Sequence, residues 1–228
     1  MPLVPDPTSR RVKYLQRLQD RFQMPVRSIH APCLGPPTAG VWGWSPQAQL
    51  AASKEAAEEL GAGVVVVHPP FRWQPGYAQG FMSLLTRLQG STDVKIAVEN
   101  MFPRQTVKGY LPDWNPVGPG WGSDGPRWAT LDVSHAAAAE LDSVELADAY
   151  GERLAHVHFS DSEMGTDDHM VPGRGKQPCG ELLRKLADDG YTGDICMEIK
   201  SAFVTRTERE KRLAEALAFV DTHWPTRR

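Results

Sequence analysis

The amino-acid sequence predicts an α/β fold, a single domain over residues 1–228 built as a (β/α)8 barrel. Three observations lead there. Short apolar segments rich in β-branched residues alternate with helical patterns along the whole chain, which requires parallel strands joined by crossover helices. Six of those segments end in a polar residue of metal-ligand type: His30, His68, Glu99, Asp132, His158 and Glu198. In an open doubly wound sheet such ends converge only around a switch point, whereas in a barrel all of them converge on one mouth. The residues two positions earlier, on the same strand face, are Ser28, Val66, Ala97, Thr130, His156 and Cys196. Most are small, as expected of a layer packed beneath a crowded mouth, and His156 reads as a support inside that layer.

The elements follow in order. "TSRRVKYLQRLQDRF" predicts an N-terminal helix and "VRSIHAP" the first strand. "SPQAQLAASKEAAEELGAG" opens on a capping serine, is rich in Ala and Glu, and stops at glycine, so it reads as a helix before the strand "GVVVVHPP". "PGYAQGFMSLLTRLQG" is the next helix and "VKIAVEN" the next strand. "WATLDVSH", the helix "HAAAAELDSVELADAYG", the strand "LAHVHFSD", the helix "PCGELLRKLADDGYTG", the strand "DICMEIK" and a last helix "TRTEREKRLAEALAFV" complete the alternation. Six strands fall two short of a closed barrel, and "MPLV" reads as the stub of an earlier one. The sheet edges this leaves are explained by a truncated or misassigned start, or by a homo-oligomer that covers them.

Composition narrows the function classes. The net charge of −3 lacks the basic excess of a general nucleic-acid binder. Three cysteines, Cys33, Cys179 and Cys196, show no CxxC spacing, which argues against a disulfide framework and fits a reducing cytoplasm. No apolar run reaches membrane-spanning length, so no membrane partner is expected. Carboxylates and imidazoles gathered at one mouth would repel or lose solvation unless a cation sat among them. Neutral imidazole with carboxylate suits Zn, Mn or Co, and Mg less well. Five of the seven histidines fall at strand ends or in the loops just beyond.

At the motifs "SIHAP", "VVVHPPF", "AVENMF", "TLDVSHA", "HVHFSD", "DDHMVPGRG" and "CMEIK" the chain resembles the xylose-isomerase-like superfamily. That superfamily includes the sugar phosphate isomerases and epimerases and the endonuclease IV group of apurinic-site nucleases. The resemblance runs from "SIHAPCL" onward and implies a TIM barrel lacking its first strand, first helix and most of its second strand. It also implies one divalent ion held by Glu99, Asp132, His158 and Glu198. The nuclease group adds ligands for two further zincs, up to three in all, matching His30, His68, His135, Asp167 and His169, with Glu99 bridging two ions. The plainer alternatives are a helix N-terminal residue for His135 and a solvated loop for Asp167 and His169.

Two catalytic expectations follow. In the first, the protein is a metal-dependent isomerase or epimerase of a sugar or sugar phosphate. Glu99 and Glu198 then exchange a proton through an enediolate, and Arg174 and Trp73 bind substrate. In the second, clustered zincs hydrolyse a phosphodiester in DNA. Loops "GPPTAGVWGW", "HPPFRWQPGY" and "PDWNPVGPGWGSDGPRW" carry Trp42, Trp44, Phe71, Trp73, Trp114, Trp121 and Trp128 but few basic groups, which ranks the sugar enzyme first. A non-catalytic metal- or ligand-binding barrel ranks third, because none of the metal-binding carboxylates is lost.

Overall fold

Hydrophobic strands and capped helices alternate through the computed structural model, which describes residues 11–32, 42–71, 74–102, 104–106, 109–111, 125–202 and 204–225. The "MPLV" stub, Cys33, Trp73, Trp114 and Trp121 lie outside the described residues. The chain divides into two compact units. One gathers the described residues through Glu99 with those of Ser123–Ala129; the other gathers those of Asn100–Gly122 and Thr130–Arg228.

In the first unit α1 (Val12–Phe22) leads into β1 (Ser28–His30), then α2 (Pro46–Leu60), β2 (Val64–Val67), α3 (Pro75–Gln89) and β3 (Lys95–Glu99). The strands run parallel in the order β1–β2–β3, with Ser28 opposite Val64 and Val66 opposite Ala97. Helix α2 starts where the Ser45 hydroxyl accepts the Ala48 N–H and Pro46 supplies a preset φ. It stops where Gly61 takes a left-handed φ of 72°. Leu50, Ala57 and Leu60 of α2 and Phe81, Leu84 and Leu85 of α3 are buried, as are all four valines of β2. Burial on both faces explains why β2 is a continuous apolar run rather than an alternating one.

The second unit holds a short antiparallel hairpin, β4 (Arg104–Thr106) and β5 (Gly109–Leu111), absent from the sequence expectation. Beyond it come β6 (Trp128–Asp132), α4 (Val133–Ala138), α5 (Ser143–Tyr150), β7 (Leu154–Phe159), α6 (Cys179–Asp188), β8 (Asp194–Met197) and α7 (Arg206–His223). Strand order is β6–β7–β8, with β7 and β8 parallel and His158 opposite Cys196. The helix expected over 135–151 is two helices. Glu140 turns left-handed at φ 58°, and Asp142 caps the second helix through the N–H groups of Val144 and Glu145. "DSVE" is a start signal that the surrounding alanine run disguises. Phe159, Leu182 and Leu183 are fully buried here, each contributing roughly 1.5–3 kcal/mol of transfer free energy.

Of the six residues expected beneath the mouth, Val66, Ala97, Thr130 and His156 are buried, Ser28 is half-buried, and Cys196 is exposed.

Candidate metal centre

Outside the β4–β5 hairpin, each strand carries a ligand-type side chain at or next to its C-terminal end. His30 closes β1, Glu99 closes β3 and Asp132 closes β6, while His68 and Glu198 follow β2 and β8 by one residue. The β7–β8 ladder extends to Glu198, whose N–H donates to the Phe159 carbonyl at 3.1 Å.

In the first unit two imidazoles converge on one carboxylate oxygen. His30 Nε2 lies 3.1 Å and His68 Nε2 2.9 Å from Glu99 Oε2, and the two rings meet edge to face. Glu99 is 1% exposed. The other ring nitrogen of His30, Nδ1, stands 2.9 Å from the Ala31 carbonyl, which only accepts, so Nδ1 carries the proton. In the neutral ring, Nε2 therefore turns a lone pair toward the carboxylate. That contact is repulsive unless the ring is protonated or a cation lies between.

The same tautomer logic recurs in the second unit. His135 Nδ1 donates to the Asn100 carbonyl at 2.8 Å, and His169 Nδ1 to the Glu198 carbonyl at 3.0 Å. Such bonds to backbone oxygen fix the ring and leave Nε2 to face a ligand. His169 Nε2 lies 3.1 Å from Asp167 Oδ1. Burial opposes charge on His169. The hydrogen bond to Asp167 and the charges of Asp132, Asp167 and Glu198 outweigh it and raise its pKa to about 9. Burial likewise opposes ionisation of Asp167, but His169, His135 and the Ser134 hydroxyl hold its carboxyl below the usual value.

Asp132 is fully buried and does two jobs. Its Oδ1 accepts the His135 N–H at 2.8 Å and so caps α4. Its Oδ2 has no hydrogen-bond partner among the described residues and stands 3.5 Å from His158 Nδ1, which is 2.9 Å from Glu198 Oε2. A buried carboxylate oxygen left without a donor is costly unless a cation meets it. Two ligands about 2.0–2.1 Å from one tetrahedral ion lie about 3.3 Å apart, and these pairs, at 3.5 and 2.9 Å, bracket that spacing. Ligand atoms of His30, His68 and Glu99 all lie within 4.8 Å of one another, as do those of Asp132, His135 and His169. The donor set therefore fits a divalent ion.

Three residues of this centre escaped the sequence reading. Asn100 brackets Asp132, its Nδ2 donating to the Asp132 carbonyl at 2.8 Å and its Oδ1 accepting the Asp132 N–H at 2.6 Å. Asp161, fully buried, accepts N–H bonds from Ser162 and Gln177 on Oδ1 and from Gly173 and Gly175 on Oδ2. It thereby pins both ends of the loop that carries Asp167 and His169. The glycines of "VPGRG" serve this clasp: Gly173 has φ 87° against the Phe219 ring, and a Cβ on Gly175 would overlap the Asp161 carboxylate. Ser134 is the third, bonded to Asp167 and to the His169 N–H. The signals were an Asn after "VE", an Asp after "HFS" and a Ser inside "DVSH". His169 itself sits at φ 48°, a conformation costing on the order of 1–3 kcal/mol for a non-glycine residue. It is held there by Ser134 on its N–H and by the Lys200 N–H on its carbonyl.

The Arg174 guanidinium forms a bidentate pair with Glu215 of α7 at 2.8 and 2.6 Å.

A family model described as xylose isomerase-like TIM barrel matches residues 3–223. The chain belongs to that family. One relative, the uncharacterized protein Rv0498 of Mycobacterium tuberculosis, is 38% identical over 241 residues, covering 94% of this chain and 84% of its own. A crystal structure of a D-tagatose 3-epimerase-like protein superposes with a TM-score of 0.65 at 26% identity, covering 92% of this chain and 84% of that one. Endonuclease IV from Thermus thermophilus gives 0.63 at 25% identity, covering 96% and 87%. The structural neighbours thus include one named for each of the two chemistries that the motifs suggested. The family's strand-end architecture accounts for why the ligand-type residues recur once per βα unit.

Proposed function

We propose that this chain is a divalent-metal-dependent isomerase or epimerase of a sugar or sugar phosphate, transferring a proton through an enediolate. The observation that carries this reading is the Asp132, His158 and Glu198 group: a buried carboxylate oxygen with no donor among the described residues, an imidazole, and a second carboxylate that remains partly open to solvent. Glu99 completes the set in this reading, and similarity to an epimerase-like structure over most of the chain supports it. A bound Mn, Zn, Co or Mg ion would supply Lewis-acid polarisation of adjacent substrate oxygens. Glu198 is a base within reach of substrate: its Oε2 bonds His158, while its backbone N–H is locked in the β7–β8 ladder. Glu99 is assigned as its acid/base partner, one carboxylate removing and the other returning the proton. Trp73 and Arg174 are assigned to substrate, with Arg174 exchanging Glu215 for a substrate hydroxyl or phosphate. The reading takes residues 1–228 as one barrel domain working in the cytoplasm.

A second reading, zinc-dependent phosphodiester hydrolysis, is favoured by the additional histidine groups, His30 with His68 and His135 with His169. Two measurements separate them. Solvent-deuterium incorporation at the carbon beside a ketose carbonyl supports the isomerase. About three zincs per chain with cleavage of abasic-site duplex DNA overturn it. Glu198→Gln is expected to lower kcat by about 10²–10⁴-fold; full activity in that variant would remove Glu198 from the chemistry.

A further inference from the structure

We propose that Ser134 is a positioning residue that sets Asp167 and His169 for a second divalent ion beside Asp132 and His135. The proposal rests on the metal-centre reading and extends it to a residue that binds no ion itself. Ser134 is fully buried in the first turn of α4, between Asp132 and His135 in sequence. Its hydroxyl uses both of its functions on the distant loop. It donates to Asp167 Oδ1 at 2.8 Å and accepts the His169 N–H at 3.1 Å. One short side chain thus sets the carboxylate of one candidate ligand and the backbone of the other.

The backbone contact matters because His169 is left-handed, and its ring direction depends on holding that conformation. With its N–H on Ser134, its carbonyl on the Lys200 N–H and its Nδ1 on the Glu198 carbonyl, the ring is fixed with Nε2 beside Asp167. A neutral hydroxyl accomplishes this without adding charge to a cluster already rich in carboxylate. Alanine would preserve α4, whose next residues include Ala136, Ala137 and Ala138, and would remove only the oxygen.

Cobalt titration of the full chain, followed by visible absorption and by metal content against a competing chelator, tests the assignment. Four proteins are compared: the parent, Ser134→Ala, Asp167→Ala and the double variant. The expected result is that Ser134→Ala weakens the second cobalt site by about 10–100-fold, as loss of an outer-shell partner does, and leaves the first site unchanged. The double variant is expected to bind more weakly than Asp167→Ala alone but by less than the two single effects together, because the part of the Ser134 role that runs through Asp167 is already lost while its hold on His169 remains. A second site in Ser134→Ala indistinguishable from the parent's overturns the role of Ser134, and so does full additivity in the double variant. A parent protein with no site that Asp167→Ala disturbs overturns the two-ion centre itself, and the proposal with it. That failure is visible without any Ser134 variant.

Discussion

In the first unit His30 is the last residue of β1 and His68 follows β2 directly, so the parallel ladder that pairs Ser28 with Val64 also sets where both imidazoles stand. In the second unit Asp167 and His169 lie well beyond the end of β7, on a loop with little regular structure of its own. There the Asp161 carboxylate, the Ser134 hydroxyl and a two-way backbone bridge between Asp161 and Met170 replace the ladder. One set of candidate ligands is positioned by secondary structure and the other by buried polar side chains. The difference teaches that the second set is vulnerable at residues that bind nothing.

Asp161→Asn should have the largest effect on stability. An amide cannot accept four N–H bonds on two oxygens, and the substitution is expected to cost about 3 kcal/mol in denaturant unfolding. Amide hydrogen exchange should accelerate across residues 162–177 while β1–β3 stay protected. Equal exchange in loop and strands would break the contrast. His30→Ala sharpens it from the other side. With a partly exposed ring and a strand-defined backbone, it is expected to cost about 1 kcal/mol or less and to leave loop exchange unchanged. The smallest effect is expected for Arg174→Ala, below about 1 kcal/mol, because both partners of its pair are exposed and screened. Equilibrium unfolding at low and high salt checks this, and a larger loss would show the pair to be a structural anchor of the loop.

The strand and helix sequence was legible because each signal is local. β-Branched runs such as "VVVV", a serine before "PQAQL" and a glycine after "EEL" act within a few residues. The break between α4 and α5 was missed because the alanine run favours continuing the helix, whereas Asp142 captures two N–H groups and restarts it. The ion-pair partner of Arg174, Glu215, lies in the last helix, beyond the reach of any local signal around "VPGRG". Asn100 and Asp161 looked like ordinary polar residues at strand ends. Their roles lie in bonds to Asp132 and to Gly173, Gly175 and Gln177, which only folding brings near.

The sequence by itself determined the βα alternation and the identity of the residues at the strand ends, since period and capping are encoded within single elements. Tertiary structure alone decided which nitrogen His30, His135 and His169 turn toward their neighbours and which oxygen of Asp132 lacks a donor among the described residues. It also decided what holds Asp167 and His169 together. Those outcomes depend on backbone carbonyls and buried hydroxyls contributed from distant parts of the chain, and a hydrogen bond of about 3 Å is not written in any spacing along it.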